Sequence, residues 1–441
     1  MSPKAKTLLI VAVLVHAVFL ASLVHPTHFL NPLFPEAMHT IAQVYGEDGE
    51  IERTIDGGGL GADFFAFYQA GRYVLDGDDI YRRPMDDAER IVPYGYFYRY
   101  LPFVAYTLGV ASNMVSPWTA YWIWVVIVEL ALLWCVLLTR RAVKDGWLFA
   151  MLATMWLVFT PFYMEQYMGQ LSFVMGALIF AMVLAHARGR TARFDWLWIA
   201  SVVIKHMTVL FIPIMLRLRR YSTVILSILL LGVTTVPYLM LRESGVGEFT
   251  HDNFNLTLYP YSGNLGALAL VMVLKARLFP MASEIGFHVG PLRITITRML
   301  ILATMALPTL AALWATFRRR PFDLVESVAL WTMVYFFVFR EIWEYHYVLL
   351  MPIFVLLYMR TRARVLWWIY ALVALPTLFV FYDVPGAKSP EAHWSAAEHI
   401  LNHGLKVVPL IWLFLWVAWG FYRRHVTKAE RGTGSELSVV L

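Results

Sequence analysis

Apolar stretches separated by short polar ones run along almost the whole chain. They cover approximately residues 7–24, 101–116, 118–138, 147–163, 169–187, 194–216, 222–241, 292–316, 324–339, 345–359, 365–382 and 405–422. Several are shorter than the ~20 residues that a straight membrane-spanning helix needs. Short or proline-interrupted stretches are tolerated at membrane depth where they line protein or a cavity. The pattern predicts an all-α polytopic membrane protein with about 12 apolar segments, of which about 10 to 12 span the bilayer.

Composition agrees with this pattern. Hydrophobic residues make up 60% of the 441 residues and charged residues 15%, whereas a soluble domain has about 45–50% and about 25%. Since no polar block is long enough to form a separate domain, we predict a single membrane domain over residues 1–425. The polar residues 426–441 are predicted to be a disordered cytoplasmic tail.

The net charge of +6 comes from lysines and arginines in short clusters between apolar stretches. This is the distribution of cytoplasmic membrane loops, so the predicted partner is the lipid bilayer and not nucleic acid. Clusters at 318–320, 360–364 and 423–424 indicate the cytoplasmic side. The distribution predicts a multi-pass protein with both termini in the cytoplasm.

The basic clusters of the N-terminal half leave two topologies open. Residues 140–144, 188–193 and 217–220 all favour the cytoplasmic side. All three lie there only if 101–116 and 194–216 are re-entrant hairpins. If every apolar segment crosses the membrane, the first two clusters lie outside instead.

The longest polar stretch, residues 25–98, is predicted to be a large first extracytoplasmic loop. Within it, Phe64, Phe67, Tyr68 and Gly71 have the i, i+3, i+4, i+7 spacing of one helix face. The spacing predicts a juxtamembrane helix from about Asp63 to Leu75. At the start of this helix, Asp63 has two interpretations, a helix cap or a functional carboxylate.

Ionisable and amide side chains inside apolar segments are costly and therefore indicate function. The sequence places such groups at Glu165 and Gln170, at Lys205, and between Arg340 and His346. Lys205 in the middle of its segment fits either an ion pair within the bundle or a ligand for a phosphate held at the membrane.

Several common sites are absent from the sequence. It contains no P-loop, no dinucleotide-binding fingerprint, no nucleophile elbow and no cysteine–histidine set with metal-ligand spacing. The single cysteine, Cys135, cannot form an intramolecular disulfide. No cofactor and no metal ion are therefore predicted.

The order of these features resembles glycosyltransferase family 87. The resemblance rests on Asp63 before Tyr68 and Gly71, on Tyr81 and Tyr100, on Gly169-Gln170, on Lys205 before a basic loop, and on Trp343-Glu344-Tyr345-His346. It covers about residues 5–425. The chain departs from the family pattern at Leu101, at Ser172 and at Met207-Thr208, and these departures bear on specificity.

The resemblance implies a C-type glycosyltransferase fold in the plasma membrane, with the active site on the extracytoplasmic side. It also implies transfer of a sugar, typically the hexose mannose and sometimes the pentose arabinofuranose, from a polyprenyl-phosphate donor to a hydroxyl of an envelope glycolipid or glycan.

In such enzymes the acidic residue of the first outer loop is the general base, here Asp63. A single displacement with one base inverts the anomeric centre and needs no metal. The predicted site residues are Asp63 as base; His346, Arg340 and Lys205 for the donor phosphate; and Tyr68, Tyr81, Tyr100, Gln170, Trp343 and Glu344 lining the substrate pocket. The alternative function is a transporter or flippase for lipid-linked sugars.

Overall fold

A computed structural model describes residues 1–24, 41–45, 51–56, 60–82, 91, 98–242, 247, 249–250, 263–278, 286–289, 292–318, 322–377 and 394–431. Six helices in these ranges are long and apolar enough to cross a membrane: Pro3–Val24, Pro117–Ala142, Gly146–Met168, Tyr221–Leu241, Ile296–Arg318 and Ala396–Gly420. Shorter apolar helices are Pro102–Ser112, Ser172–Ala187, His206–Arg217, Leu324–Val338 and Val365–Ala374. Thr191–Ile204, Ala267–Leu278 and Leu350–Thr361 are also helical.

The predicted helical membrane architecture is confirmed at this level. Two short antiparallel hairpins were not predicted: Ile41–Tyr45 pairs with Ile51–Asp56, and Gly286–Val289 pairs with Leu292–Thr295. Much of the predicted loop 25–98 and residues 432–441 of the predicted tail lie outside the described residues. The last helix continues to Arg431, so residues 426–431 are helical where the sequence predicted disorder.

Basic clusters from both halves of the chain lie at one end of the bundle, called here the basic end. Three ion pairs connect its loops: Arg220 with Asp195 at 3.7 Å, Arg362 with Asp145 at 4.0 Å, and Arg360 with Asp323. The N-terminus also lies here, because a Cβ added to Gly146 would be 3.2 Å from the Cα of Met1. The opposite end, called here the polar end, carries Asp63.

The segment 101–116 begins and ends at the polar end. Just before it, the Tyr100 hydroxyl donates to Gln170, and at its end the Val115 carbonyl accepts from Tyr68, 2.9 Å away. Its helix Pro102–Ser112 contains a π-helical turn over Ala105–Gly109. The segment therefore re-enters rather than crosses the bundle.

The segment 194–216 is also a hairpin, called here the lysine hairpin. Thr191–Ile204 leads from the basic end to Lys205, whose extended backbone (φ −148°, ψ 110°) breaks the helix, and His206–Arg217 returns. Ser201 donates to the Thr208 hydroxyl at 2.9 Å, which holds the two arms together. Of the two topologies that charge left open, the structure has the one with two hairpins, so all three N-terminal basic clusters share one end.

The helix predicted over Asp63–Leu75 is confirmed as Ala62–Asp76, called here the loop helix. Gly61 at its N-cap is left-handed (φ 77°), and its N–H donates to the Tyr167 carbonyl at 2.7 Å. No side chain caps this end, so Asp63 in the first turn does not act as a cap. Apart from Asp63, residues 61–71 are all buried, which makes the helix part of the core rather than a surface feature.

The loop helix packs closely against the re-entrant segment where two glycines meet. A Cβ on Gly71 would lie 2.0 Å from the carbonyl carbon of Gly109. We expect Gly71→Ala to lower the free energy of unfolding by about 2 kcal/mol or more, because backbone has to move to admit the methyl group. Thermal unfolding in detergent measures this. Gly232→Ala is the matched control, since open space surrounds that glycine within its helix, and it should not destabilise the protein. Equal stability of the two variants would contradict the close packing.

Candidate active site

The Asp63 carboxyl lies in a cluster of polar side chains at the polar end. Gln170 and Tyr345 hydrogen-bond to it, and the positive charges of Lys205 and Arg99 are close enough to interact with it. Its Oδ2 atom is buried, and no donor in the described part of the chain reaches it. Burial raises the pKa of the Asp63 carboxyl above its ordinary value of 3.8, against the opposing effect of these hydrogen bonds and charges. The carboxylate is therefore a stronger base than a solvated one.

A bend at Gly169-Gln170 positions the amide that supports Asp63. Gly169 is left-handed (φ 71°), and a Cβ there would lie 2.5 Å from the Cβ of Phe64 on the loop helix. Only glycine allows this approach. Oε1 of Gln170 accepts from the Tyr100 hydroxyl and, at 3.4 Å, from Lys205, so its NH₂ group is the donor to Asp63.

Lys205 lies at the tip of the lysine hairpin and enters the same cluster. Its Nζ donates to the Ser172 hydroxyl at 2.8 Å and lies 5.7 Å from the centre of the Tyr100 ring. Its charge interacts with two carboxylates, those of Glu165 and Asp63. The hairpin thus delivers one ammonium group beside the Asp63 carboxylate.

His346 belongs to a 3₁₀ turn, Glu344–Leu349, that follows an extended stretch. Its Nδ1 accepts from the Trp343 N–H at 3.0 Å, so the ring proton of the neutral imidazole lies on Nε2. No hydrogen bond within the described residues involves Nε2, and the residue is 6% exposed. The ring is 4.5 Å from that of Tyr345 and is close enough to feel the charges of Lys205 and Arg99. Nε2 is therefore a donor available to a ligand in this cluster.

Two arginines share one carboxylate at the edge of the cluster. Glu341 pairs with Arg340 at 3.4 Å and also with Arg99. Asn264 fixes the backbone of residues 340–342. Its side-chain NH₂ donates to the Arg340 carbonyl at 2.7 Å, and its side-chain oxygen accepts from the Ile342 N–H at 3.1 Å. Of the two guanidinium groups, that of Arg99 also interacts with Asp63.

Other predicted pocket residues have different surroundings. The Tyr68 hydroxyl, predicted to line the substrate pocket, donates to the Val115 carbonyl. Tyr81 donates to the Tyr100 carbonyl at 3.1 Å and so supports Tyr100. The Trp343 ring stacks on that of Tyr345 at 6.4 Å.

Glu344 lies in a buried ion pair. It is 2.9 Å from Nζ of Lys406 and accepts from the Thr377 hydroxyl at 2.7 Å. Lys406 is fully buried and also donates to the Val373 and Leu375 carbonyls, at 2.6 Å each. These contacts connect Glu344 to the last helix and not to the Asp63 cluster.

Sequence reasoning did not assign Arg99 and Tyr345, which both interact with Asp63. In each case the neighbouring residues in the sequence had indicated a functional segment. Arg99 lies between Tyr98 and Tyr100, and Tyr345 lies within the Trp-Glu-Tyr-His stretch. Both stretches supplied predicted site residues, so the segments were found and these particular side chains were not.

The fold and this cluster define an integral membrane protein with a polar site at one end of an apolar helix bundle. The sequence model of glycosyltransferase family 87 matches residues 98–340, which is more than half of the chain. The chain therefore belongs to glycosyltransferase family 87 and is a membrane glycosyltransferase. The match includes Gln170 and Lys205, whereas Asp63 precedes it and His346 follows it. A search of curated proteins found no match.

Proposed function

We propose that this glycosyltransferase moves a hexose, most typically mannose, from a polyprenyl-phosphate donor to a hydroxyl of an envelope glycolipid or glycan. The observation that supports this best is the pairing of a carboxylate that has one buried, unpartnered oxygen with cationic and donor side chains. Asp63 keeps one buried oxygen free of partners within the described residues, while Lys205 and Arg99 interact with its charge. His346 lies against Tyr345, which hydrogen-bonds to Asp63. A base and a phosphate site are thus adjacent.

The transfer is a single displacement. The acceptor oxygen attacks the anomeric carbon and passes its proton to Asp63 as the new glycosidic bond forms. The bond from the anomeric carbon to the phosphate oxygen breaks, and its electron pair remains on the departing polyprenyl phosphate. Attack opposite to the leaving group inverts the anomeric centre. Asp63 then loses the proton to water before the next turnover.

The departing phosphate gains negative charge and needs positive charge or hydrogen-bond donors, not a proton. Lys205, Arg340 and Nε2 of His346 are the proposed ligands. A lipid phosphate carries fewer charges than a nucleotide diphosphate. These three groups are therefore sufficient to stabilise its negative charge, and the scheme requires no metal ion.

We infer that the fold is of the C-type glycosyltransferase class and that the protein resides in the plasma membrane. The clustering of arginines at the basic end supports a cytoplasmic position for that end and for both termini. The polar end, with Asp63, then faces the extracytoplasmic side, where a lipid-linked donor presents its sugar.

The function is tested with protein reconstituted in liposomes. We expect transfer from a polyprenyl-phosphate hexose to envelope glycolipids and no transfer from the corresponding nucleotide sugar, because the cluster offers one compact cationic site beside the base. Radiolabelled donors and mass spectrometry of the products measure this. Turnover with nucleotide sugars alone would contradict the donor class. Movement of the labelled lipid across the bilayer without a new glycosidic bond would instead support a transporter.

A further inference from the structure

Glu165 is a second carboxylate within the site, and only half of it has a structural role. It lies on the helix Thr160–Met168 and is fully buried. Its Oε1 accepts from the Phe173 N–H at 2.7 Å, and the Ser172 N–H also interacts with the carboxylate, so that Glu165 helps to satisfy the start of the helix Ser172–Ala187. Its Oε2 is also buried, yet no hydrogen-bond donor of the described chain reaches it. The contact with the start of this helix accounts for the burial of Oε1 but not for that of Oε2.

Lys205 does not satisfy that second oxygen. The ammonium group and the Glu165 carboxylate interact electrostatically, but they form no ion pair within 4.0 Å among those of the described residues. The hydrogen bonds of Nζ go to Ser172 and Gln170 instead. The second oxygen of Glu165 therefore keeps an unused capacity to accept a hydrogen bond.

Tyr335 brings a third buried oxygen without a partner. It lies on the helix Leu324–Val338, and its hydroxyl bonds to no group of the described residues. Its ring centre is 6.0 Å from that of His346, and the Tyr335 hydroxyl and the Glu165 carboxylate are close enough to interact. Tyr335 therefore belongs to the same cluster and lies next to the 3₁₀ turn that carries His346.

Three buried oxygens of this cluster thus have no partners in the described structure: Asp63 Oδ2, Glu165 Oε2 and the Tyr335 hydroxyl. An unsatisfied buried acceptor is unfavourable, and several together indicate a ligand that supplies the missing hydrogen bonds. Two carboxylates repel a phosphate, whereas hydroxyl groups donate to them. The hydroxyl groups of a sugar therefore suit the free oxygen of Glu165 better than a phosphate oxygen does.

We propose that Glu165 and Tyr335 bind hydroxyl groups of the transferred sugar and determine which sugar is accepted. The inference rests on the proposed function and assigns to it the surface that recognises the glycosyl group. Glu165 Oε2 accepts from one sugar hydroxyl, the Tyr335 hydroxyl bonds to another sugar oxygen, and Asp63 Oδ2 remains for the acceptor hydroxyl. A buried site of this kind strongly rejects a sugar that lacks the hydroxyl it is built to bind.

The test combines enzyme variants with donor analogues. A panel of polyprenyl-phosphate mannose, glucose, galactose and arabinofuranose first identifies the best donor, and the monodeoxy derivatives of that donor are then compared. In the wild type, we expect one deoxy position to lower kcat/KM by about a hundredfold.

Glu165→Gln retains an oxygen for the Phe173 N–H, and its kcat/KM for the parent donor should be lower than that of the wild type. In this variant the same deoxy change should lower kcat/KM by less than about a tenth of the factor seen in the wild type. The reason is that the hydrogen bond between residue 165 and that sugar hydroxyl is already weakened.

Tyr335→Phe should show the same loss of discrimination at a different sugar position. Matched controls are Glu326→Gln and Tyr358→Phe, buried residues at the basic end, which should discriminate as the wild type does. Equal discrimination by the wild type, Glu165→Gln and Tyr335→Phe at every position would overturn the inference while leaving the transferase activity intact. Failure of the wild type with every donor in the panel would overturn the proposed function itself.

Discussion

Asp63→Asn should lower kcat by about a thousandfold, because removal of the acceptor proton by a positioned base contributes a factor of that order. The substitution keeps the size of the side chain and the hydrogen bonds that an amide oxygen can accept. Donor binding should therefore change little, and the loss should appear in kcat rather than in KM. Initial-rate kinetics in liposomes measure both parameters.

Asp76→Asn is the matched control for this substitution, since Asp76 ends the same helix, is exposed and pairs only loosely with Arg72 at 3.9 Å. It should retain wild-type kinetics. The wild-type pH profile gives a second measurement. Because burial raises the pKa of Asp63, kcat should fall on acidification at a pH above the ordinary carboxyl value of 3.8. Wild-type turnover by Asp63→Asn would remove Asp63 from the role of base.

Lys205→Met should lower kcat/KM by about a hundredfold or more, since it removes an ammonium group proposed to bind the donor phosphate. Much of the loss should appear as a higher donor KM. Stability should fall as well, because Asp63 and Glu165 lose the nearby cation that balances them, and leaving a buried charge uncompensated costs about 3–5 kcal/mol. Donor kinetics and thermal unfolding are measured on the same preparation.

A second buried lysine separates these two effects. Lys406→Met also leaves a buried carboxylate, that of Glu344, without its cation, so it should destabilise the protein to a similar degree. Its folded fraction should retain a donor KM near that of the wild type. If both variants raise the donor KM equally, Lys205 acts only through stability and is not a phosphate ligand.

The sequence pattern located the loop helix because its buried positions repeat at helical spacing. It also located Gln170, Lys205 and His346, because polar side chains stand out within apolar segments. The family match agrees with the resemblance that these residues carry, although it does not extend to Asp63 or His346.

Contacts between distant parts of the chain could not be predicted in the same way. Charge alone does not distinguish a crossing segment from a hairpin. The ion pair between Asp195 and Arg220 depends on the tertiary structure and could not be predicted from a local pattern. The partner of Glu344 is 62 residues further along, so a local pattern grouped this carboxylate with its neighbour His346. Glu165 was recognised as unusual, but the free state of its second oxygen emerges only from the packed structure.

The ion pair between Glu344 and Lys406 has a consequence for biosynthesis. Lys406 lies on the last helix, and the ribosome makes it after every described residue of the Asp63 cluster. Until that helix inserts, Glu344 remains an uncompensated charge. The nascent chain therefore completes this buried pair only as synthesis ends, and a truncated translation product that lacks the last helix should be less stable than the full chain, because its Glu344 carboxylate has no cation.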